Sequence, residues 1–218
     1  MKKITVFFFV AILLLQSLNV LAQKDQTLMI GINDNQFPFA GYNYNDKWSV
    51  YIMNSLFFRE LNAQYIRLYG GYTYQFKKIK TELDIFPYLG TNYGGAYYDF
   101  GLDLKADKYW SSKFETSAGL IPTYDSDKGF YLCYSGTVSY WFLNDASANI
   151  KISDYPEFRI PENRISLSLL FDVYELAVRP VISIPINGDI RTGRVLVSFI
   201  YSFPIAGKNT KSKRIIID

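Results

Sequence analysis

Asp99 and Asp103, four residues apart, and Glu82 and Asp84, two apart, are the acidic pairs whose spacing could place carboxylates side by side. Two neighbouring carboxyl groups can divide general-acid and general-base roles when their environments push their ionisation apart. Lys105 lies two residues beyond the second aspartate of the first pair. The wider catalytic repertoire is closed to this chain. It contains no histidine, so a Ser-His-Asp arrangement and every nucleophile that leans on an imidazole base are excluded. Cys133 is the single cysteine, which permits no internal disulfide and no Cys/His zinc set. No glycine-rich phosphate loop or nucleotide motif is present, and Gly94-Gly95 reads as a turn. The expectation is therefore a protein without catalytic residues, cofactor or metal.

The elements that carry these charges alternate with a period of two, the mark of a β-strand. From 97 to 105, Tyr98, Phe100, Leu102 and Leu104 share one face, and Asp99, Gly101, Asp103 and Lys105 the other. The same division separates Ile66, Leu68, Tyr72, Tyr74 and Phe76 from Arg67, Thr73 and Gln75. It also separates Ile165, Leu167, Leu169 and Phe171 from Ser166, Ser168 and Asp172, and Val195, Val197, Phe199, Tyr201 and Phe203 from Arg194 and Ser198. None of these runs fits the i, i+3, i+4, i+7 template of a helix. Ten strands are predicted, at about 48–59, 63–76, 81–91, 96–106, 112–122, 129–142, 147–154, 164–173, 175–187 and 193–203, with 8–12 as the range. Many are near the 9–11 residues that cross a bilayer when tilted. Thr27 to Ile32 could add another; residues 33 to 47, rich in Asn and Gly, read as a loop, so 23–47 is expected to be a lead-in.

The first 22 residues have the order of a secretory signal: Lys2 and Lys3, an apolar run from Ile4 to Leu15, then Val20-Leu21-Ala22 before Gln23. The run is too short for a membrane-spanning helix, which needs about 20 residues. Removal of this segment takes two of the 23 Lys and Arg and leaves them nearly balanced by 20 Asp and Glu. Such a balance argues against nucleic acid as a partner. Residues 204–218, with Lys208, Lys211, Lys213 and Arg214, read as a solvated basic tail.

Nineteen Tyr, 17 Phe and 3 Trp are present, residue types that suit a membrane–water boundary. Those near strand ends, Trp48, Tyr74, Phe76, Tyr109, Trp110, Tyr140, Trp141, Tyr201 and Phe203, are the candidate interfacial girdle. The apolar strand faces carry no charge, as contact with lipid or burial in a core would require. Pro87, Pro122, Pro180 and Pro185 run against long strands, because each removes a ladder hydrogen bond. Strand length, aromatic placement and the export signal favour a closed antiparallel up-and-down transmembrane β-barrel over a soluble exported β-sandwich or lipocalin-like barrel binding an apolar ligand. Over 48–203 the chain resembles the small bacterial outer-membrane barrels of the OmpX, OmpW and OmpA-domain type. Gly193 to Phe203 is similar to the aromatic-ended final strand that the barrel assembly machinery recognises in such proteins. The resemblance implies a Gram-negative outer-membrane location, with the lipid bilayer and that machinery as partners.

In a barrel the polar faces turn inward. Arg67, Glu82, Asp84, Asp99, Asp103, Lys105, Lys113, Glu115, Asp172, Arg179 and Arg194 are thus the candidate lumen charges. They would either line a porin-like passage for small solutes or pair with one another to fill a narrow structural interior. The solute or ligand is not identified by any motif. A surface-interaction role for the segment 155–163, stiffened by Pro156 and Pro161, is a further reading.

Overall fold

A computed structural model describes residues 26–33, 37–55, 64–154, 163–188 and 193–206. Twelve antiparallel strands run in sequence order around a closed barrel. They are β1 (Gln26–Asn33), β2 (Phe37–Tyr44), β3 (Trp48–Asn54), β4 (Tyr65–Phe76), β5 (Thr81–Asn92) and β6 (Tyr98–Tyr109), then β7 (Phe114–Asp125), β8 (Gly129–Leu143), β9 (Ala146–Ser153), β10 (Arg164–Val173), β11 (Leu176–Pro185) and β12 (Arg194–Ala206). Each strand pairs with the next, and β1 returns to β12 through Leu28↔Phe203, Ile30↔Tyr201 and Ile32↔Phe199. Closure leaves no edge, which is the condition for a sheet to stand in hydrocarbon without unpaired backbone groups.

The two ends of the barrel differ. β1 begins and β12 ends at one of them, the terminal end, where the strands are joined by turns of two to four residues. The connections at the opposite, loop end run from three to ten residues. Short turns on the side of the chain termini and longer loops opposite are the arrangement in which bacterial barrels face the periplasm and the cell exterior. The β2–β3 turn shows the chemistry of the short ones. Asn45 and Asp46 both have positive φ, 57° and 52°, and Lys47 N–H donates to the Tyr44 carbonyl at 3.2 Å. That is the hairpin turn whose twist matches the strands, and Asn and Asp tolerate its left-handed backbone.

The alternation expected from the sequence fixes the two surfaces. Outward positions are apolar and exposed, among them Leu68, Leu89, Leu120, Val138, Ile150, Leu167 and Val195. Among the described residues the single charge on an outward strand position is Lys108, at the terminal end. Its amine is bonded to the Ile79 carbonyl and lies 5.4 Å from the Trp110 ring centre. A soluble sandwich would bury the apolar face and wet the polar one; here the relation is reversed. The chain is a closed β-barrel with a lipid-facing exterior. A soluble sandwich or lipocalin-like barrel is ruled out.

Several expectations need correction. The segment read as a lead-in supplies β1 and β2, so the barrel begins at Gln26 and has twelve strands rather than ten. Phe37-Pro38-Phe39 disguised β2, yet Pro38 sits beside the loop end with its ring directed outward opposite Ile32. β3 stops at Asn54, short of residue 59, and β12 continues through Ala206 into the segment read as tail. Residues 1–22, 155–162 and 207–218 lie outside the described residues, and with them the signal sequence, the tail beyond Ala206 and nearly all of the segment read as an interaction loop.

The internal prolines are accommodated by one-sided gaps. Pro87 keeps its partner Leu102 on β6, while the β4–β5 register is interrupted between Tyr69↔Tyr88 and Tyr72↔Ile85. Pro122 pairs with Leu132 on β8 and interrupts the β6–β7 register between Gly101↔Thr123 and Leu104↔Leu120. Pro180 pairs with Val197 and interrupts the β10–β11 register between Ser168↔Val181 and Phe171↔Val178. A residue that lacks N–H forfeits bonding to one neighbour only.

Candidate functional site: the lumen wall

Inward positions carry the polar chemistry. Ten of the eleven candidate charges, Arg67, Glu82, Asp84, Asp99, Asp103, Lys105, Glu115, Asp172, Arg179 and Arg194, occupy inward strand positions. Lys113 does not. It lies exposed in the turn before β7, because β6 continues to Tyr109 and pushes the turn to 110–113. Four inward charges escaped the sequence reading: Asp107, Asp125, Lys151 and Arg164. Asp107 and Asp125 were assigned to turns. Extending the alternation of Asp99, Asp103 and Lys105 by one step would have placed Asp107 on the same face.

The charges are sorted by arc. Among the described residues, β4–β7 carry seven inward carboxylates and two cations, whereas β9–β12 carry four cations and one carboxylate. On the acidic arc, Asp84 accepts from Thr73 Oγ1 at 2.6 Å. Glu82 accepts from Gln75 Nε2 at 3.2 Å and from the Tyr109 hydroxyl at 2.8 Å. Lys105 Nζ stands 3.3 Å from Asp107 Oδ1, which also accepts from the Ser117 hydroxyl. On the basic arc, Arg164 donates from Nε to Ser183 Oγ at 2.9 Å and from Nη2 to the Ser183 carbonyl at 3.0 Å. Arg179 Nη2 donates to Asn33 Oδ1 at 3.1 Å, which also accepts from Ser198 Oγ at 2.8 Å.

Toward the loop end the lumen wall carries packed aromatic side chains. Tyr51 and Tyr69 stack with ring centres 4.3 Å apart, and Tyr69 lies 5.3 Å from Tyr88. Tyr69 and Tyr88 cluster with Ile121 and Cys133, with Tyr51, Met53, Phe86 and Tyr131 against them. This cluster reaches from β3 to β8. Arg67 lies against it, its guanidinium carbon 4.3 Å from the Tyr88 ring centre, and pairs with Asp99. Ser117, Ser135, Thr137, Ser166 and Ser168 are inward and half-buried, whereas Met29, Phe39 and Ile200 form a second buried apolar cluster where β1, β2 and β12 meet.

The aromatic girdle divides by parity. Trp48, Tyr74, Phe76, Trp110, Tyr140, Tyr201 and Phe203 are exposed near the terminal end. Tyr109 and Trp141 are corrections: both point inward, Tyr109 to Glu82 and Trp141 to Glu115 Oε2 at 3.4 Å. Adjacent residues of a strand face opposite sides, so Tyr109-Trp110 and Tyr140-Trp141 can each give one ring to the lipid. At the loop end a second set, Tyr98, Phe100, Tyr124, Phe130 and Tyr134, is exposed, none of which was among the expected girdle residues. Phe100 and Tyr124 stack at 5.2 Å across β6 and β7. Exposed aromatics thus stand at both ends of the aliphatic surface, over β6–β8 at the loop end, as interfacial girdle residues do.

No protein-family model and no curated protein matches this sequence. Among solved structures, the KdgM porin matches with a TM-score of 0.61 at 10% identity, over 82% of this chain and 99% of that one. The KdgM porin in complex with disordered oligogalacturonate matches with the same values. A BenF-like porin from Pseudomonas fluorescens Pf-5 matches with a TM-score of 0.41 at 11% identity, over 81% of this chain and 58% of that one. The fold is thus similar to that of an outer-membrane porin, rather than being specific to the OmpX, OmpW and OmpA-domain type.

Proposed function

We propose that this barrel is a passive, non-enzymatic channel for small polar and charged solutes across the bacterial outer membrane. The observation that carries the reading is the half-buried polar wall inside a closed barrel. Asp84, Asp103, Lys105, Thr137, Lys151 and Ser168 face the lumen without being sealed in it. A barrel built only as a plug would neutralise or cover such groups. The fold likeness to the KdgM porin supports the same class of function. The oligogalacturonate seen with that porin is a polyanion. Here such a chain would have to pass Glu82, Asp84, Asp107, Glu115 and Asp172 near the terminal end, so the proposal is kept to small solutes of either sign. The structural second reading rests on the tyrosine cluster around Tyr69 and Tyr88, which takes up part of the lumen.

Reconstitution decides between them. Purified protein in planar bilayers gives discrete conductance steps, and liposomes containing it swell in small sugars and amino acids. A silent bilayer with correctly folded protein would leave the structural reading standing. Export to this location is proposed to use the barrel assembly machinery, through β12 and its outward Phe203. Phe203→Ala then lowers the assembled fraction in the outer membrane, while Phe130→Ala, outside β12, does not.

A further inference from the structure

The inward charges are also sorted along the barrel axis. Toward the loop end lie Arg67, Lys151, Arg164 and Arg194 against Asp99 and Asp125. Toward the terminal end lie Glu82, Asp84, Asp107, Glu115 and Asp172; among the described residues the one inward cation beside these five carboxylates is Lys105, opposite Asp84 and paired with Asp107. Asp103 and Arg179 fall between, the second reaching Asn33 at the loop end of β1. The packed cluster that runs along the wall from Tyr51 of β3 to Cys133 of β8 takes up part of the lumen. A permeating ion passes between the charged walls that remain. Turn lysines such as Lys77 and Lys78 stand outside the lumen in bulk solution, where salt screens them.

We propose that this axial separation makes the channel a rectifier, with the acidic terminal-end mouth admitting cations and the basic loop-end mouth admitting anions. The inference rests on the channel reading above. Its physics is counterion balance in a confined, low-dielectric passage. When the terminal-end side is positive, cations enter through the acidic mouth and anions through the basic one. Both accumulate in the middle, and current is high. With the opposite sign each species is pulled out through the mouth that favours it. The middle is depleted and current falls. No step requires the wall to move.

Single-channel recording tests this. In about 0.1 M KCl, where the screening length is about 10 Å, currents at opposite voltages differ by about twofold. The ratio approaches one in about 1 M salt, where screening acts within about 3 Å. Spermine, a polycation, blocks from the acidic side only, which identifies that mouth in each recording. The chamber from which it blocks is the one whose positive potential gives the larger current. The triple variant Glu82→Gln, Asp84→Asn, Glu115→Gln brings the ratio close to one, and so does Lys151→Gln, Arg194→Gln at the other mouth should the first fail to assemble. Linear currents in the unaltered channel overturn the inference and leave the channel reading intact. Rectification that persists in high salt or in both variants also overturns it, since shape rather than charge would then be the cause. Absence of any conductance overturns both.

Discussion

Arg67 on β4 and Asp99 on β6 form an ion pair across the strand that separates them, over Gly90. The register places Arg67, Gly90 and Asp99 in one row, and the missing side chain at Gly90 is the gap through which they meet. Tyr65 closes the arrangement, its hydroxyl donating to Asp99 and accepting from Arg67 Nε at 2.8 Å. The Arg67 and Asp99 side chains are 13% and 0% exposed. Removing one partner strands a charge. Arg67→Met is expected to destabilise the folded barrel by about 3–5 kcal/mol, read from urea-induced unfolding in detergent or lipid. A change under about 1 kcal/mol would show that the pair is solvated.

Gly90 is a separate test of the same row. A methyl group there would collide with the Tyr65 hydroxyl and with Asp99 Oδ1. Gly90→Ala is expected to cost about 1–3 kcal/mol through overpacking. Gly70, where an added Cβ meets nothing nearer than Val50 Cγ2 at 4.0 Å, should accept alanine at little cost. Equal effects at the two positions would contradict the packing described.

The lipid-facing assignment of the odd and even positions predicts opposite tolerances for charge. Leu120 points outward from the middle of β7, so Leu120→Arg should cost about 2–4 kcal/mol. The inward Ser168→Arg should cost far less and alter conductance instead. Tolerance of arginine at 120 in refolding titrations would remove the membrane-facing surface.

The three tryptophans report on both girdle and lumen. Trp48 and Trp110 are 57% and 60% exposed on the outside near the terminal end, and Trp141 is 2% exposed inside. In single-tryptophan variants, lipids brominated near the headgroup quench Trp48 and Trp110 strongly and Trp141 weakly. Strong quenching of Trp141 would place it outside and reverse the parity of β8.

How much of this was readable beforehand depended on contrast between strand faces. β4, β6, β10 and β12 alternate without interruption, and their surfaces were assigned correctly from residue type alone. β2 escaped because Pro38 and the Asn-rich stretches around it mimic loop chemistry. In a closed ladder a proline forfeits bonding on one side only, so Pro38 is compatible with β2. The inward charges were legible wherever a strand was bounded correctly. Lys113, Asp107 and Asp125 were misassigned because strand ends lay two to three residues from where turn residues suggested. Parity was stronger than composition at the girdle. Two adjacent aromatics look like a double anchor, yet alternate side chains guarantee that one of them enters the lumen. The sorting of charge by arc follows the chain, because the strands run in sequence order around the barrel, and it became visible once every inward charge was placed.

The seam between β1 and β12 has a kinetic consequence. Every other strand pairing joins neighbours along the chain, so each hairpin can form as a local event. The final ladder unites Gln26 with Ala206, and the entropy of closing so large a loop is paid in that single step. Contact order in this protein is thus concentrated in one place. Circular permutation at a short turn, such as 174–175, with a linker joining the present ends, would turn that seam into another hairpin and move the slow, late encounter to wherever the new ends lie.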